Sequence, residues 1–115
     1  MGGREVPREG PSSWGDIQDL ALSIDGYETA GSFESCAQAA KGVSASYERE
    51  GTAALEATTI ESLRVALFFE ARGAHHQGDM PDDGWLRYVQ AIAAELTRRK
   101  GSGWVWQQVR SGRRG

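Results

Sequence analysis

Two adjacent histidines near the middle of the chain lie among carboxylates. His75 and His76 follow Glu70 and precede Asp79, and imidazole together with carboxylate suits zinc, iron or manganese. Their spacing matches no strong metal-binding motif, and the aspartates at 82 and 83 are also well suited to capping a helix. The favoured interpretation is a solvated polar loop with no bound cofactor. A metal-dependent enzyme centred on His75 and His76, with Asp79 as a further candidate ligand, is the alternative.

The remaining residue patterns do not predict a catalytic site. Glu70 follows the apolar run at residues 65–69, where burial could raise its pKa and make it a general base. No second carboxylate stands at helical spacing behind it, so a paired Glu70 or one exposed at the rim of the fold is favoured. The sequence has no nucleophile with a matching base, no glycine-rich phosphate loop and no HExxH motif. We therefore predict no catalytic residues and favour a non-enzymatic role.

The C-terminal region combines tryptophan with basic residues. Residues 98–115 hold six basic residues and no acidic one, whereas residues 1–97 hold seven basic and sixteen acidic residues. Arginine binds phosphate and tryptophan stacks on bases, so this tail suits nucleic acid. An anionic membrane surface or an acidic protein groove would suit the same chemistry. The candidate nucleic-acid contacts are Arg98, Arg99, Lys100, Arg110, Arg113 and Arg114.

The favoured interpretation of the tail gives it no binding role. The arginines would solvate the terminus while one tryptophan folds back onto the domain, because the acidic body repels a polyanion. The chain also has more aromatic residues than one small core obviously needs, and tryptophan anchors dominate interface energetics. We therefore predict a helical module that binds another protein, with a nucleic-acid-binding accessory protein as the alternative. The candidate partner contacts are Phe69, Trp85, Trp104 and Trp106.

Length and composition limit the fold to one small domain. The chain has 115 residues, of which 39% are hydrophobic and 25% charged, a globular composition. A single cysteine, Cys36, excludes an internal disulfide and is expected to be a buried thiol. The longest strongly apolar run, residues 65–69, is far shorter than the roughly 20 residues of a membrane span. The charged N-terminus lacks the apolar stretch of a secretory signal, so we expect a cytoplasmic protein.

Apolar spacing of three and four residues predicts an all-α fold of about four helices. The predicted helices cover residues 14–24, 33–50, 58–73 and 82–100, with a short helical turn possible at 52–57. Thr58 and Glu61 form a capping box for the third helix, and Asp82 can cap the fourth. The third helix is apolar around much of its circumference and should be central, although its wide face could also close a homodimer.

The predicted domain is a small bundle at residues 12–101, between a disordered lead-in at 1–11 and a basic tail at 102–115. Its predicted core combines the apolar faces of all four helices. The members are Trp14, Ile17, Leu20, Ile24, Phe33, Cys36, Val43, Tyr47, Ile60, Leu63, Leu67, Phe68, Trp85, Val89, Ile92 and Leu96.

Two segments resemble parts of small, uncharacterised bacterial helical proteins. They are LALSIDGY at residues 20–27 and LRVALFFEAR at residues 63–72. The resemblance covers roughly residues 14–100 and implies a bacterial cytoplasmic helical domain. It implies no activity, and both tails lie outside it.

Overall fold

The computed structural model describes residues 10–22 and 33–107, and within them the fold is all-α, as predicted. The helices are α1 (Trp14–Ala21), α2 (Phe33–Glu50), α3 (Thr52–Glu56), α4 (Ile60–Gln77) and α5 (Asp83–Lys100). Residues 104–107 add a further helical turn. In these two segments no helix is both long and apolar enough to cross a membrane.

Helix α1 is held at both ends by polar side chains. The Ser13 hydroxyl accepts a hydrogen bond from the Asp16 amide at 3.2 Å, which satisfies one of the free amides at the start of the helix. At the other end, Arg72 Nη1 donates to the Ala21 carbonyl at 3.2 Å. The helix ends at Ala21, three residues before the predicted end at Ile24, which lies outside the described residues.

A left-handed glycine separates α2 from α3. Gly51 has φ 69°, a conformation that glycine adopts without the steric cost of a Cβ, and its amide bonds to the Tyr47 carbonyl at 2.7 Å. The predicted end of the second helix and the short helical turn after it are therefore confirmed. Ser32 immediately precedes α2, where a serine oxygen can cap a helix, and it lies outside the described residues.

Helix α4 begins and ends later than predicted. Thr59, rather than Thr58, is its N-cap and accepts from the Ser62 amide at 3.1 Å, while the Thr58 hydroxyl donates back to the Ala54 carbonyl at 2.8 Å. The predicted end at Gly73 is wrong, because the helix continues to Gln77 and stops at Gly78, whose φ is 85°. A glycine inside a helix costs only about 1 kcal/mol relative to alanine, which the longer helix tolerates.

Helix α5 agrees closely with the prediction. Asp82 is its N-cap and accepts from the Trp85 amide at 2.7 Å. Gly101, with φ 107°, follows its last residue. The three basic residues of its last turn lie at the negative end of the helix dipole.

The core forms around α4, which packs against α1, α2 and α5. The predicted central position of this helix is therefore confirmed. Most of the predicted core is buried, whereas Trp14, Tyr47, Ile60 and Trp85 are half-buried at its edge. The buried predicted residues are Ile17, Leu20, Cys36, Val43, Leu63, Leu67, Phe68, Val89, Ile92 and Leu96. Ile24 and the side chain of Phe33 lie outside the described residues.

Packing extends beyond both predicted domain boundaries. Before α1, Pro11 is buried and its carbonyl accepts a hydrogen bond from Gln90 Nε2 at 2.8 Å. After α5, Val105 and Trp106 join the hydrophobic core. The first residues of the predicted tail are therefore part of the folded domain, in keeping with a tryptophan that folds back onto it.

Candidate functional site

Helices α2 and α5 both pack on α4 but have little direct backbone contact with each other, which leaves a cleft between them. The cleft has a volume of about 260 Å³. Its walls carry aromatic, carboxylate and hydroxyl groups. The lining residues of this acidic–aromatic cleft are Ser44, Tyr47, Glu48, Glu70, Gly84, Trp85 and Tyr88.

A hydrogen bond between α4 and α5 fixes one wall of the cleft. Trp85 Nε1 donates to Glu70 Oε1 at 3.0 Å. The Asp82 cap places Trp85 in the first turn of α5, and Glu70 projects from the middle of α4 toward it. An indole N–H needs a partner when it is buried, so this bond holds the Trp85 ring at the edge of the core.

Two tyrosines that line the cleft join α2 to α5. The rings of Tyr47 on α2 and Tyr88 on α5 lie 5.0 Å apart between centroids, tilted by 50°, a favourable aromatic geometry. Tyr88 is only 6% exposed, and its hydroxyl has no hydrogen-bond partner within the described residues. Ser44 lies close enough to lower the pKa of this hydroxyl, but outside hydrogen-bond geometry.

Burial raises the pKa of Tyr88 well above its ordinary value of 10.0, and the nearby Glu70 carboxylate raises it further. Both effects disfavour the phenolate, the first by desolvation and the second by charge repulsion. The Tyr88 hydroxyl is therefore neutral and buried in the wall of the cleft.

The cleft carries the negative charges of Glu48 and Glu70, and Lys41 is the basic side chain that lines the adjoining groove with them. Neither Glu48 nor Glu70 forms an ion pair with any group in residues 10–22 and 33–107. An uncompensated charge beside low-dielectric walls produces a strong local field. The cleft is thus electrostatically suited to a positively charged group.

A shallower groove adjoins the cleft along α2. It has a volume of about 390 Å³ and shares Ser44, Glu48 and Glu70 with the cleft. The rest of its lining combines three alanines and one phenyl ring with the basic side chain of Lys41. The remaining lining residues are Ala37, Ala40, Lys41, Ala45 and Phe69.

The four predicted partner contacts divide into two pairs. Trp85 lines the cleft and Phe69 the adjoining groove, whereas Trp104 and Trp106 lie beyond the far end of α5. Trp106 is 6% exposed and belongs to the core. The other three are half-buried against it. Trp85 and Phe69 thus line concave surfaces, whereas Trp106 exposes little of its ring.

The described basic residues of the predicted nucleic-acid surface have contacts within the protein. Arg98 pairs with Glu95, and the Lys100 ammonium lies 5.7 Å from the centre of the Trp104 ring. Arg99 Nε donates to Glu95 at 2.6 Å. The three other candidates, Arg110, Arg113 and Arg114, lie outside the described residues.

Arg99 also joins α5 to the end of α3. Its guanidinium donates to the carbonyls of Leu55 at 2.7 Å, Glu56 at 3.0 Å and Thr58 at 2.6 Å. These carbonyls lie at or just after the end of a helix, where carbonyl groups lack amide partners within the helix. The guanidinium group has several N–H donors and can therefore bond to all three. The side chain of Arg99 therefore has a structural role in this fold.

Hydrogen bonds from Arg98 hold the pKa of Glu95 below its ordinary value of 4.5, and Arg99 lowers it further. Glu95 is nearly buried, with 8% of its surface exposed. The two arginines keep the carboxylate ionised in this position.

The histidine pair lies on a helix instead of in the predicted polar loop. His75 and His76 occupy the last turn of α4, with ring centroids 6.4 Å apart. In the described part of the chain, no three histidine, cysteine, aspartate or glutamate side chains are grouped so as to hold a metal ion. The structure therefore does not bring Asp79 together with the two histidines as a ligand set.

Sequence reasoning placed Tyr47 and Trp85 in the core and Glu70 at the rim, but it did not join them into one site. Tyr88 and Glu48 were not predicted as site residues. One feature of the sequence points to Tyr88 as a site residue. It lies three residues after Trp85, so the two side chains share one face of a helix. No protein-family model, curated protein or solved structure matches this chain.

Proposed function

We propose that this protein is a non-enzymatic helical module that docks on another protein through the acidic–aromatic cleft and its adjoining groove. The observation that carries the proposal is a cleft with three aromatic side chains and two carboxylates that form no ion pair within the described residues. Aromatic side chains at a concave surface are typical of the positions that dominate binding energy between proteins.

The adjoining groove supports docking over a surface larger than one pocket. Phe69 and the alanines of α2 offer a shallow apolar strip beside the charged cleft. A small apolar centre with a polar rim is the usual anatomy of a protein interface. The cleft supplies anchoring and orientation, and the groove supplies apolar contact.

The two alternatives draw less support from the described residues. Arg98 and Arg99 are engaged with Glu95 and with backbone carbonyls, so binding of phosphate by them would compete with contacts inside the fold. The metal-dependent alternative has no three-residue ligand group in residues 10–22 and 33–107. Nucleic-acid binding would therefore depend mainly on Arg110, Arg113 and Arg114.

The test is whether partner capture depends on the cleft. Wild-type protein and the double variant Glu48→Gln with Glu70→Gln are used to capture proteins from nuclease-treated lysate of the source organism. Glu50→Gln is the matched control, because Glu50 lies on the same helix as Glu48 but two residues along it, and so does not share its face. We expect a partner that wild type and Glu50→Gln retain and the double variant loses.

Equal retention of the partner by all three proteins would contradict the proposal. A parallel capture without nuclease tests the nucleic-acid alternative with a chain that ends at Gln107. That end point keeps Val105 and Trp106, which are buried in the core. Nucleic acid held by the full chain and lost by the shortened one would favour the alternative.

A further inference from the structure

The aromatic and carboxylate groups of the cleft suit one chemical class of ligand, a positively charged group. We propose that the cleft binds the charged side chain of a lysine or arginine residue of the partner protein. The inference rests on the proposed function and specifies the chemistry that the docking site recognises.

The aromatic walls suit a cation. Tyr47, Trp85 and Tyr88 line one cleft, and the faces of tyrosine and tryptophan rings attract ammonium and guanidinium groups placed within about 6 Å of their centres. The Tyr47 and Tyr88 rings are in contact, with centroids 5.0 Å apart and a tilt of 50°, so a cation would lie against the parts of these rings that line the cleft and not between the two rings.

The carboxylates supply charge and a hydrogen-bond acceptor. Glu70 Oε1 accepts from the Trp85 indole at 3.0 Å, while the second oxygen has no partner within the described residues. That oxygen can accept an N–H from a basic side chain, and a charge-assisted bond of this kind is stronger than a neutral one. Glu48 adds a second negative charge on the opposite helix.

The Tyr88 hydroxyl is a buried polar group in the wall of the cleft. Tyr88 lines the cleft and is 6% exposed, and its hydroxyl has no hydrogen-bond partner in the described part of the chain. Leaving a buried polar group unpaired is costly, so a side-chain rotation that pairs this oxygen is favoured. The oxygen is closed off from the cleft and lies near Ser44, so an ammonium or guanidinium N–H of the ligand can donate to it only after the Tyr88 or Ser44 side chain turns.

Other ligand classes fit less well. An anion would face the two carboxylates Glu48 and Glu70, and an apolar side chain would offer neither carboxylate a hydrogen bond. The volume of about 260 Å³ equals that of several water molecules at about 30 Å³ each, which is ample for a lysine or arginine side chain. The alanine and Phe69 strip next to the cleft can take apolar residues flanking the basic one.

The experiment uses amino-acid analogues as probes of the full chain. Uniformly ¹⁵N-labelled protein is titrated with the N-acetyl, N-methylamide derivatives of lysine, arginine and norleucine, the last being the uncharged control. The reporter is the indole N–H signal of Trp85, assigned with Trp85→Phe. We expect the basic analogues to shift this signal with an affinity about tenfold or more above that of norleucine.

Variants then locate the binding groups. Glu70→Gln keeps an acceptor for the Trp85 indole but removes the charge, and it should weaken binding of the lysine analogue about tenfold. Tyr88→Phe should weaken binding as well, while Glu50→Gln should leave the affinity unchanged. The spectrum of each variant shows directly whether it is folded.

Equal affinity for norleucine and lysine analogues would overturn the inference, as would an equal effect of Glu50→Gln and Glu70→Gln. If neither basic analogue binds but partner capture still depends on the cleft, this inference fails and the docking function stands. If the analogues bind but capture does not depend on the cleft, the docking function fails, and with it the assignment of the cation to a partner protein.

Discussion

The indole Nε1 of Trp85 donates to Glu70 Oε1 at 3.0 Å and joins α5 to α4 at the wall of the acidic–aromatic cleft. One carboxylate oxygen thereby holds the aromatic ring, and the other oxygen remains for a ligand. The same residue thus links the stability of the fold to the chemistry of the proposed site. Substitutions at Glu70 can separate these two roles.

Glu70→Gln should change stability little, whereas Glu70→Leu should reduce it. Glutamine keeps a carbonyl oxygen for the indole, so we expect a loss of about 1 kcal/mol or less in the free energy of unfolding. Leucine leaves the indole N–H without an acceptor, which should cost about 1–3 kcal/mol. Urea denaturation of both variants measures the difference. Equal stability of the two variants would mean that the Trp85–Glu70 bond contributes nothing to the fold.

Tyr88→Phe should stabilise the free protein while weakening its binding. The hydroxyl is buried without a partner in the described residues, so its removal relieves a desolvation cost that we put at about 1 kcal/mol. A purely structural tyrosine would behave in the opposite way and lose stability on this change. Urea midpoints of wild type and variant at neutral pH decide between the two.

Arg99→Leu should destabilise the fold by about 2 kcal/mol or more. The substitution removes hydrogen bonds to three carbonyls near the end of α3 and to Glu95. The stability of Arg99→Lys should lie between that of wild type and that of Arg99→Leu, because an ammonium group cannot bond to all of the same carbonyls. Arg98→Leu is the comparison, since the Arg98 side chain is 63% exposed and shares the contact to Glu95 but not the contacts to the three carbonyls. Similar losses for Arg98→Leu and Arg99→Leu in thermal unfolding would show that the carbonyl contacts are unimportant.

Because of Glu95, the stability of the fold should decrease at acid pH. Arg98 and Arg99 hold its folded pKa below the ordinary value of 4.5, so the unfolded chain binds a proton more readily than the folded one. The stabilising contribution is therefore fully present above pH 4.5 and is lost as the pH falls through the lower, folded value. Urea midpoints measured between neutral and acid pH should decline less steeply for Glu95→Gln than for wild type. Identical pH profiles would rule out a stabilising role for the Glu95 charge.

The sequence predicted the helices better than it predicted their ends. Two adjacent threonines, 58 and 59, each precede a plausible helix start, and only the fold shows that Thr59 caps α4 while Thr58 bonds back to Ala54. Gly73 and Gly78 are both possible stops. The helix continues through Gly73, and the left-handed φ of 85° at Gly78 ends it.

The site was harder to predict than the fold, because its residues come from three helices. Helical spacing shows that Trp85 and Tyr88 share a face, but not that this face meets Tyr47 and Glu70. The sequence predicted that one tryptophan folds back onto the domain, but it did not identify Trp106 as a core residue. The apolar stretch at its position is too short to predict an element alone, and only packing against the bundle shows its burial.

Hydrogen exchange of the complex with its captured partner tests the location of the docking site most directly. Exchange rates of backbone amides are compared with and without the partner in wild type and in the Glu48→Gln, Glu70→Gln double variant. We predict slowed exchange in the segments that line the cleft, around residues 44–48 on α2 and 84–88 on α5, and no such change with the double variant. Slowed exchange confined to α1, or to the end of α5 beyond Glu95, would contradict the account.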